Sequence, residues 1–280
     1  MNNIGIIGLG YVGSALQNAL FNKVNLFTLD INKDSNCNNL KELSESAETI
    51  FICLPTPMKT TGECDTTLIE ETLKELSKLS KENKNIVIKS TVKPGFTQKI
   101  QKEFSNLKLV FNPEFLRELT FKEDFLNQKF IILGGDKKDC IKIKNIYSLI
   151  FNDIQYHITT SQTAEMIKYT INNFLATKVS FSNEIFQFCK KIGVNYNDMI
   201  NIAVNDERLG KSHWSVPGPD GKYGFGGSCF PKDTAALIFE MKKKGVNSYI
   251  IKSVVERNIN EDRKEKDWEK LIGRAISEKS

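Results

Sequence analysis

The first half of the chain alternates short, nearly continuous apolar runs with longer stretches whose apolar residues return every three to four positions. Asn3 to Ile7, Val24 to Leu29, Thr49 to Leu54, Asn85 to Lys89, Lys108 to Phe111 and Phe130 to Leu133 read as strands. They are apolar along most of their length, as strands covered on both faces are. Helical patterns fall between them, most clearly around Leu68 to Leu79. Strand and helix in alternation predict an α/β domain with a mostly parallel, doubly wound sheet.

The pattern changes near residue 158. Thr159 and Gln162 fit a capping box. Ile167, Ile171, Phe174, Leu175, Val179 and Phe186 then recur at helical spacing, and Gly193 supplies a stop. One long amphipathic helix is predicted, with shorter ones after it. A Gly- and Pro-rich loop, SVPGPDGKYGFGG, precedes a final charged helical region. The expected organisation is an α/β domain over residues 1–158 and an all-α domain over residues 159–280.

Composition narrows the classes. A chain of 280 residues, 40% hydrophobic and 26% charged, can bury a sizeable core in two domains. Its net charge of +5 is scattered rather than gathered in a stripe, which argues against a nucleic-acid surface and suits an anionic small substrate. No apolar run reaches the roughly 18 residues of a membrane span. The start, MNNIGIIGLG, has no basic n-region or cleavage site, so a cytoplasmic location is expected. Cys37, Cys53, Cys64, Cys140, Cys189 and Cys229 form no CxxC pair and no metal-ligand spacing, and are expected as thiols. The two histidines, His157 and His213, give little material for a metal site or a His-based triad.

Gly8-Leu9-Gly10-Tyr11-Val12-Gly13 follows a strand and opens a helix, the context that makes GxGxxG a dinucleotide fingerprint. Gly8 allows the tight turn, Gly10 lets the backbone approach a pyrophosphate, and Gly13 permits close packing of helix on strand. Asp30 ends the second strand, where a carboxylate hydrogen-bonds the ribose hydroxyls and repels a 2′-phosphate. NAD in a Rossmann-type domain is the expected cofactor.

KSTVKPG (Lys89 to Gly95), NPEFLRE (Asn112 to Glu118), KYTIN (Lys168 to Asn172) and GFGGSCFPKD (Gly224 to Asp233) follow in order. With GLGYVG they make the chain resemble the UDP-glucose/GDP-mannose dehydrogenase family over nearly its whole length. The resemblance implies oxidation of a nucleotide sugar at C6 to a carboxylate, with two NAD reduced per turnover. UDP-glucose to UDP-glucuronate, for surface polysaccharide, fits the GSCFPKD wording best. Cys229 takes the nucleophile's position, trapping the aldehyde as a thiohemiacetal that becomes a thioester. A thiol suits this because it is partly ionised near neutral pH and strongly nucleophilic.

The same resemblance implies the other roles. Lys168, Asn172 and Asp233 stabilise the oxyanion at C6. Glu114 is the general base for water, which Thr91 helps position. Glu118, Leu54, Thr56, Pro57, Thr91 and Lys232 line the cofactor together with Leu9, Tyr11 and Val12. Phe115, Leu116, Arg117, Arg208, Tyr223, Gly224, Phe225 and Gly226, beside Glu114, Lys168 and Asn172, contact the sugar nucleotide. A homodimer through the helical domain is also implied.

Two departures from the family stand out. The stretch between Asp30 and TIFICLPTP is short, and Lys33 is expected to replace the cofactor contact usual there. The carboxy-terminal domain that closes over the nucleotide is not in the chain, so a compact, short enzyme is expected, with a second protomer or a separate polypeptide completing the pocket. Two other readings stay open on the residues: a β-hydroxyacid-type dehydrogenase making one hydride transfer, and a non-catalytic NAD or nucleotide-sugar binding protein.

Overall fold

The six apolar runs form strands β1 (Asn3–Ile7), β2 (Asn25–Leu29), β3 (Thr49–Ile52), β4 (Lys84–Ile88), β5 (Leu107–Phe111) and β6 (Phe130–Gly135), and a seventh, β7 (Gln155–Thr159), joins them. These come from a computed structural model that describes residues 2–80 and 83–278. The sheet order is β2-β1-β3-β4-β5-β6-β7. The first five strands in that order are parallel, β6 runs antiparallel to β5, and β7 is parallel to β6. The expected α/β architecture is therefore present. β7 escaped the sequence reading because QYHIT is an edge strand whose residues are exposed or half-buried, so it lacks a continuous apolar run.

Helices α1 (Tyr11–Leu20), α2 (Leu40–Ser46), α3 (Thr67–Leu79), α4 (Phe96–Glu103), α5 (Phe121–Leu126) and α6 (Lys137–Tyr147) cover the sheet. Side chains of a strand alternate between faces, so each apolar strand feeds two cores. On one face Ile50, Ile52, Ile86 and Ile88 cluster with Leu43, Ile69, Leu73 and Ile100. On the other, Ile6, Phe51, Val87 and Val110 cluster with Leu16, Leu20, Phe125 and Tyr147. The chain leaves β1 for β2 on one side and returns as β3 on the other. That crossing opens a crevice at the carboxyl ends of β1 and β3, where such sheets bind ligands.

The chain divides into two units, Met1–Thr56 with Thr66–Lys168, and Pro57–Asp65 with Tyr169–Ser280. The division falls inside α7 (Ser161–Ile192), one unbroken helix of 32 residues. Its cap is Thr160, whose Oγ1 accepts from Thr163 N at 3.1 Å. The capping box expected at Thr159 is not formed, because Thr159 is spent as the last residue of β7. Gly193 ends the helix as expected, at φ +76°, with Val194 N donating to Cys189 O. The second unit continues with α8 (Tyr196–Ala203), α9 (Phe230–Lys243), α10 (Tyr249–Arg257), a π-turn at Asn258–Asp262 and a 3-10 turn at Asp267–Lys270.

The periodicity of α7 misled in one respect. Phe174, counted in its apolar stripe, is 63% exposed, while Glu165, Lys168, Asn172, Asn173, Ser180 and Asn183 are buried. This face is buried through hydrogen bonds as well as through the apolar contacts of Ala164, Tyr169 and Ala176. Buried polar groups hold there because they find partners.

Candidate active site

In the first unit, the glycine turn after β1 is built by backbone contact. Gly8 has φ +88°, and a Cβ there would meet Cys53 O at 2.7 Å. A Cβ on Gly13 would overlap the Gly8 carbonyl outright. Gly10 is different: nothing lies within 4 Å of its would-be Cβ. α1 starts there with no side-chain cap and no acid in its first turn. Its amides and the positive end of its dipole are thus available to a pyrophosphate. Leu9 and Gly13 are buried, Val12 is half-buried, and the Tyr11 ring packs on Phe121 at 5.2 Å.

Asp30 holds this turn. Its Oδ2 accepts from Leu9 N at 2.5 Å, and its Oδ1 accepts from Asn32 N and Lys33 N at 2.8 and 3.0 Å. Burial pushes its pKa up, but the three amides together with Lys33 outweigh this and hold it below the usual carboxylate range. Oδ2, which accepts one hydrogen bond where Oδ1 accepts two, keeps lone-pair capacity for a ribose hydroxyl. The Lys33 ammonium reaches the Leu9 carbonyl, so it does stand at the turn. These residues fit a dinucleotide.

The ends of β3, β4 and β5 carry the rest of this unit's candidates. Leu54 is half-buried and Thr56 buried, whereas Pro57 begins the excursion that belongs to the second unit. The Leu54 carbonyl accepts from Ser90 Oγ at 2.6 Å. Thr91 is buried in the turn that follows. Glu165, fully buried on α7, closes that turn by accepting from Gly95 N at 2.5 Å and Thr97 N at 2.9 Å, capping α4 from another helix. Burial raises its pKa, against the pull of those hydrogen bonds.

Glu114 and Lys168 meet directly. Lys168 Nζ lies 3.2 Å from Glu114 Oε1, also donates to the Glu114 carbonyl, and sits 5.1 Å over the Phe115 ring. The other Glu114 oxygen accepts from Leu116 N at 2.7 Å. Arg117 is exposed and turned onto Asp124 at 2.6 Å, and Glu118 is half-buried. Beneath Glu114 lies a network that sequence reasoning missed. Asn112 Oδ1 accepts from Lys89 Nζ at 2.9 Å and from Tyr147 Oη at 2.5 Å, and Asn112 Nδ2 donates to Ile132 O at 2.9 Å. The signal was present: a lysine directly after the apolar run NIVI has nowhere to go but inward.

In the second unit, Cys229 stands at the N-cap of α9, with Pro231 in the first turn. A helix N-terminus favours a thiolate. Asp233, 1% exposed, accepts from Asn172 Nδ2 at 2.6 Å and from Lys232 Nζ at 2.5 Å. Burial alone would push the Lys232 ammonium down, but Asp233 and then Cys229 outweigh it and leave its pKa above the ordinary lysine range. The six cysteines are all thiols. Burial pushes Cys53 and Cys140 up to about 12, which makes both inert near neutral pH.

The glycine loop before Cys229 is held by amides that sequence reasoning also missed. Gly224 N donates to Asn183 Oδ1 at 3.2 Å, and Phe225 exchanges two bonds with Asn258, at 2.8 and 2.9 Å. The Phe225 side chain is core, packed with Ala176 and Val254, so what it can offer a ligand is backbone. Tyr223 is partly exposed beside Phe186 at 5.8 Å. Arg208 is exposed and pairs with Asp206 at 2.5 Å. Among the described residues, no group of three or more His, Cys, Asp or Glu could hold a metal ion, and no helix is long and apolar enough to cross a membrane.

Residues 32–154 match the NAD binding domain of the UDP-glucose/GDP-mannose dehydrogenase family, and residues 162–260 match its central domain. A UDP-glucose 6-dehydrogenase of Rickettsia typhi is 35% identical over 294 residues, covering 91% of this chain and 66% of its own. One of Campylobacter jejuni is 32% identical over 293 residues, covering 91% and 71%. Among solved structures, a UDP-glucose dehydrogenase from Pyrobaculum islandicum has a TM-score of 0.82 at 26% identity, covering 92% of this chain and 68% of that one. The chain spans roughly half to two thirds of the length of the Rickettsia relatives it matches.

Proposed function

The chain belongs to the UDP-glucose/GDP-mannose dehydrogenase family, and on that premise we propose that it oxidises a nucleotide sugar at C6, UDP-glucose to UDP-glucuronate, with NAD. The observation that carries this reading is the setting of Cys229. A thiol at a helix N-terminus, followed by a buried lysine–aspartate pair that also takes Asn172, is chemistry a single hydride transfer does not need. NAD supplies the hydride acceptor for both oxidations.

Between them the protein's own groups act. Once C6 is an aldehyde, Cys229 Sγ adds to its carbon, and the new C–S bond leaves an alkoxide that the Lys168 ammonium and Asn172 amide stabilise. Asp233 fixes Asn172 by accepting its proton donor. After the second oxidation C6 is a thioester. Glu114 takes a proton from a water steadied by Thr91, the water oxygen bonds to C6, and the C–S bond breaks to release the carboxylate and the thiolate. Arg208, engaged with Asp206, is a cation for the phosphate or sugar, and Phe115, Leu116, Arg117 and Tyr223 to Gly226 border the sugar nucleotide. Glu118, Leu54, Thr56, Pro57 and Lys232 join the glycine turn and Asp30 in lining NAD. Phe174, Phe181 and Phe188, exposed at seven-residue spacing on α7, supply the face of a homodimer.

The test is NADH production from UDP-glucose, GDP-mannose and UDP-galactose. The expected result is two NADH per UDP-glucose, abolished in Cys229→Ala with NAD affinity kept. One NADH per substrate, independent of Cys229, would return the β-hydroxyacid-type reading. Binding without NADH from any sugar would leave a binding protein.

A further inference from the structure

The loop that leads into Cys229 is held from behind by a part of the chain outside both family matches. The central-domain match ends at residue 260. Just beyond it, Arg263 is 3% exposed, with its guanidinium flat against Gly226: a Cβ on that glycine would lie 2.6 Å from it. Arg263 Nε and Nη2 donate to the two oxygens of Asp267 at 2.9 and 2.8 Å. Nη2 also pairs with Asp220 Oδ2 at 2.7 Å. Asp220 belongs to the same loop as Gly226, so one buried side chain ties the loop to the 3-10 turn at Asp267.

Neighbouring contacts serve the same end. Lys222, also in the loop, pairs with Asp267 at 2.7 Å and Glu265 at 3.3 Å. The π-turn before Arg263 presents Asn258, 1% exposed, to both backbone groups of Phe225. It also lies so close to Gly224 that a Cβ there would overlap Asn258 and meet the Asp262 Cβ at 2.9 Å. A π-turn inside helical structure is uncommon and often marks a functional site. Arg274, further along, reaches Ser228 Oγ at 3.5 Å. Burial disfavours the Arg263 charge, but Asp267 and Asp220 more than offset this, so the cation persists at any working pH.

We propose that Arg263 is a positioning residue for the nucleotide-sugar loop: stacked on Gly226 and forked between Asp220 and Asp267, it holds Gly224 to Gly227 in the conformation that presents their backbone to substrate. The proposal rests on the function given above for its substrate. Its geometric content, that Arg263 orders this loop, does not. Planarity is essential, because only a flat group fits against Gly226 while holding two carboxylates. A lysine keeps the charge and loses both the stacking and the fork.

The test uses the whole chain with Arg263→Met, Arg263→Lys, Asp220→Asn and Gly226→Ala, read by amide hydrogen exchange and by steady-state kinetics with UDP-glucose. Arg263→Met is expected to speed exchange of the Gly224 to Gly227 amides about tenfold or more, while the amides of β1 to β5 keep their protection. KM for the sugar nucleotide rises by roughly tenfold to a hundredfold with kcat nearly unchanged, the pattern of lost substrate positioning. Arg263→Lys recovers only part of this, and Asp220→Asn added to Arg263→Met costs nothing further. If Arg263→Met does not fold, Asp220→Asn carries the same comparison, and Gly226→Ala is read by hydrogen exchange alone. Unchanged loop exchange and KM overturn the proposal, as does exchange that rises evenly throughout the second unit. If the wild type makes no NADH, the function given above fails, and the exchange data alone decide the role of Arg263.

Discussion

Replacing Lys89 by methionine is expected to change how stability depends on pH, in a direction set by its burial. Lys89 is 4% exposed beside Asn112 and Tyr147. Burial is the largest influence on it and pulls its pKa from the ordinary 10.5 down to about 8, against smaller upward pulls from Cys53 and Glu114. At 1.36 kcal/mol per pH unit, the fold disfavours the ammonium by roughly 3 kcal/mol. Below pH 8 the folded and unfolded chains both hold the proton, and the full cost is present. Between pH 8 and 10.5 only the unfolded chain holds it, so this group makes stability rise with pH. Lys89→Met removes the titration and leaves the Tyr147–Asn112 hydrogen bond in place. Urea melts of both proteins from pH 7 to pH 10 measure the difference. Wild type should gain on the variant by about 1.4 kcal/mol per pH unit above pH 8, and at pH 7 the variant should be at least as stable. Turnover should nevertheless fall, because Asn112 leads directly into Glu114. Parallel stability curves across this range would refute the reasoning.

Gly10→Ala should fold with an unchanged melting temperature yet lose NAD affinity, since its Cβ meets no protein atom within 4 Å and enters the space proposed for the pyrophosphate. Gly13→Ala should lose both, because its Cβ overlaps the Gly8 carbonyl; calorimetry and NAD titration separate the pair. Asn172→Ala strips a donor from the buried Asp233 and should cost about 1–3 kcal/mol in denaturant melts, with turnover falling more than NAD affinity. Phe181→Asp should shift a dimer toward monomer in sedimentation without lowering the melting temperature of the monomer, as the ring is 54% exposed.

The strands were legible because six of them are apolar on both faces, and the glycine turn because its spacing and its place after β1 agree. Local signals also placed α3 and the end of α7. β7 was not legible: QYHIT borders the sheet and carries no apolar run. The one-residue slip from Thr159 to Thr160 has the same cause, since a strand that was not seen could not claim Thr159. Site residues in named motifs could be pointed to, whereas the groups that hold them could not. Glu165 acts on Gly95 from 70 positions away and Asn258 on Phe225 from 33, distances at which sequence spacing is silent. Phe174 illustrates a harder limit: periodicity finds an apolar stripe but does not say which side of a helix the protein covers.

The polar buried face of α7 reverses the usual map of mutational tolerance along a helix. In a saturation scan of the chain, Glu165, Asn172 and Asn183 should accept almost no replacement, hydrophobic ones included, because each holds a backbone turn or a buried carboxylate. Phe174 and Phe188, exposed at 63% and 61%, should accept many in any selection for folding alone. A consensus built on hydrophobicity alone would therefore miss these positions. Drift on this helix is limited by the hydrogen-bond partners its neighbours demand as much as by apolar packing.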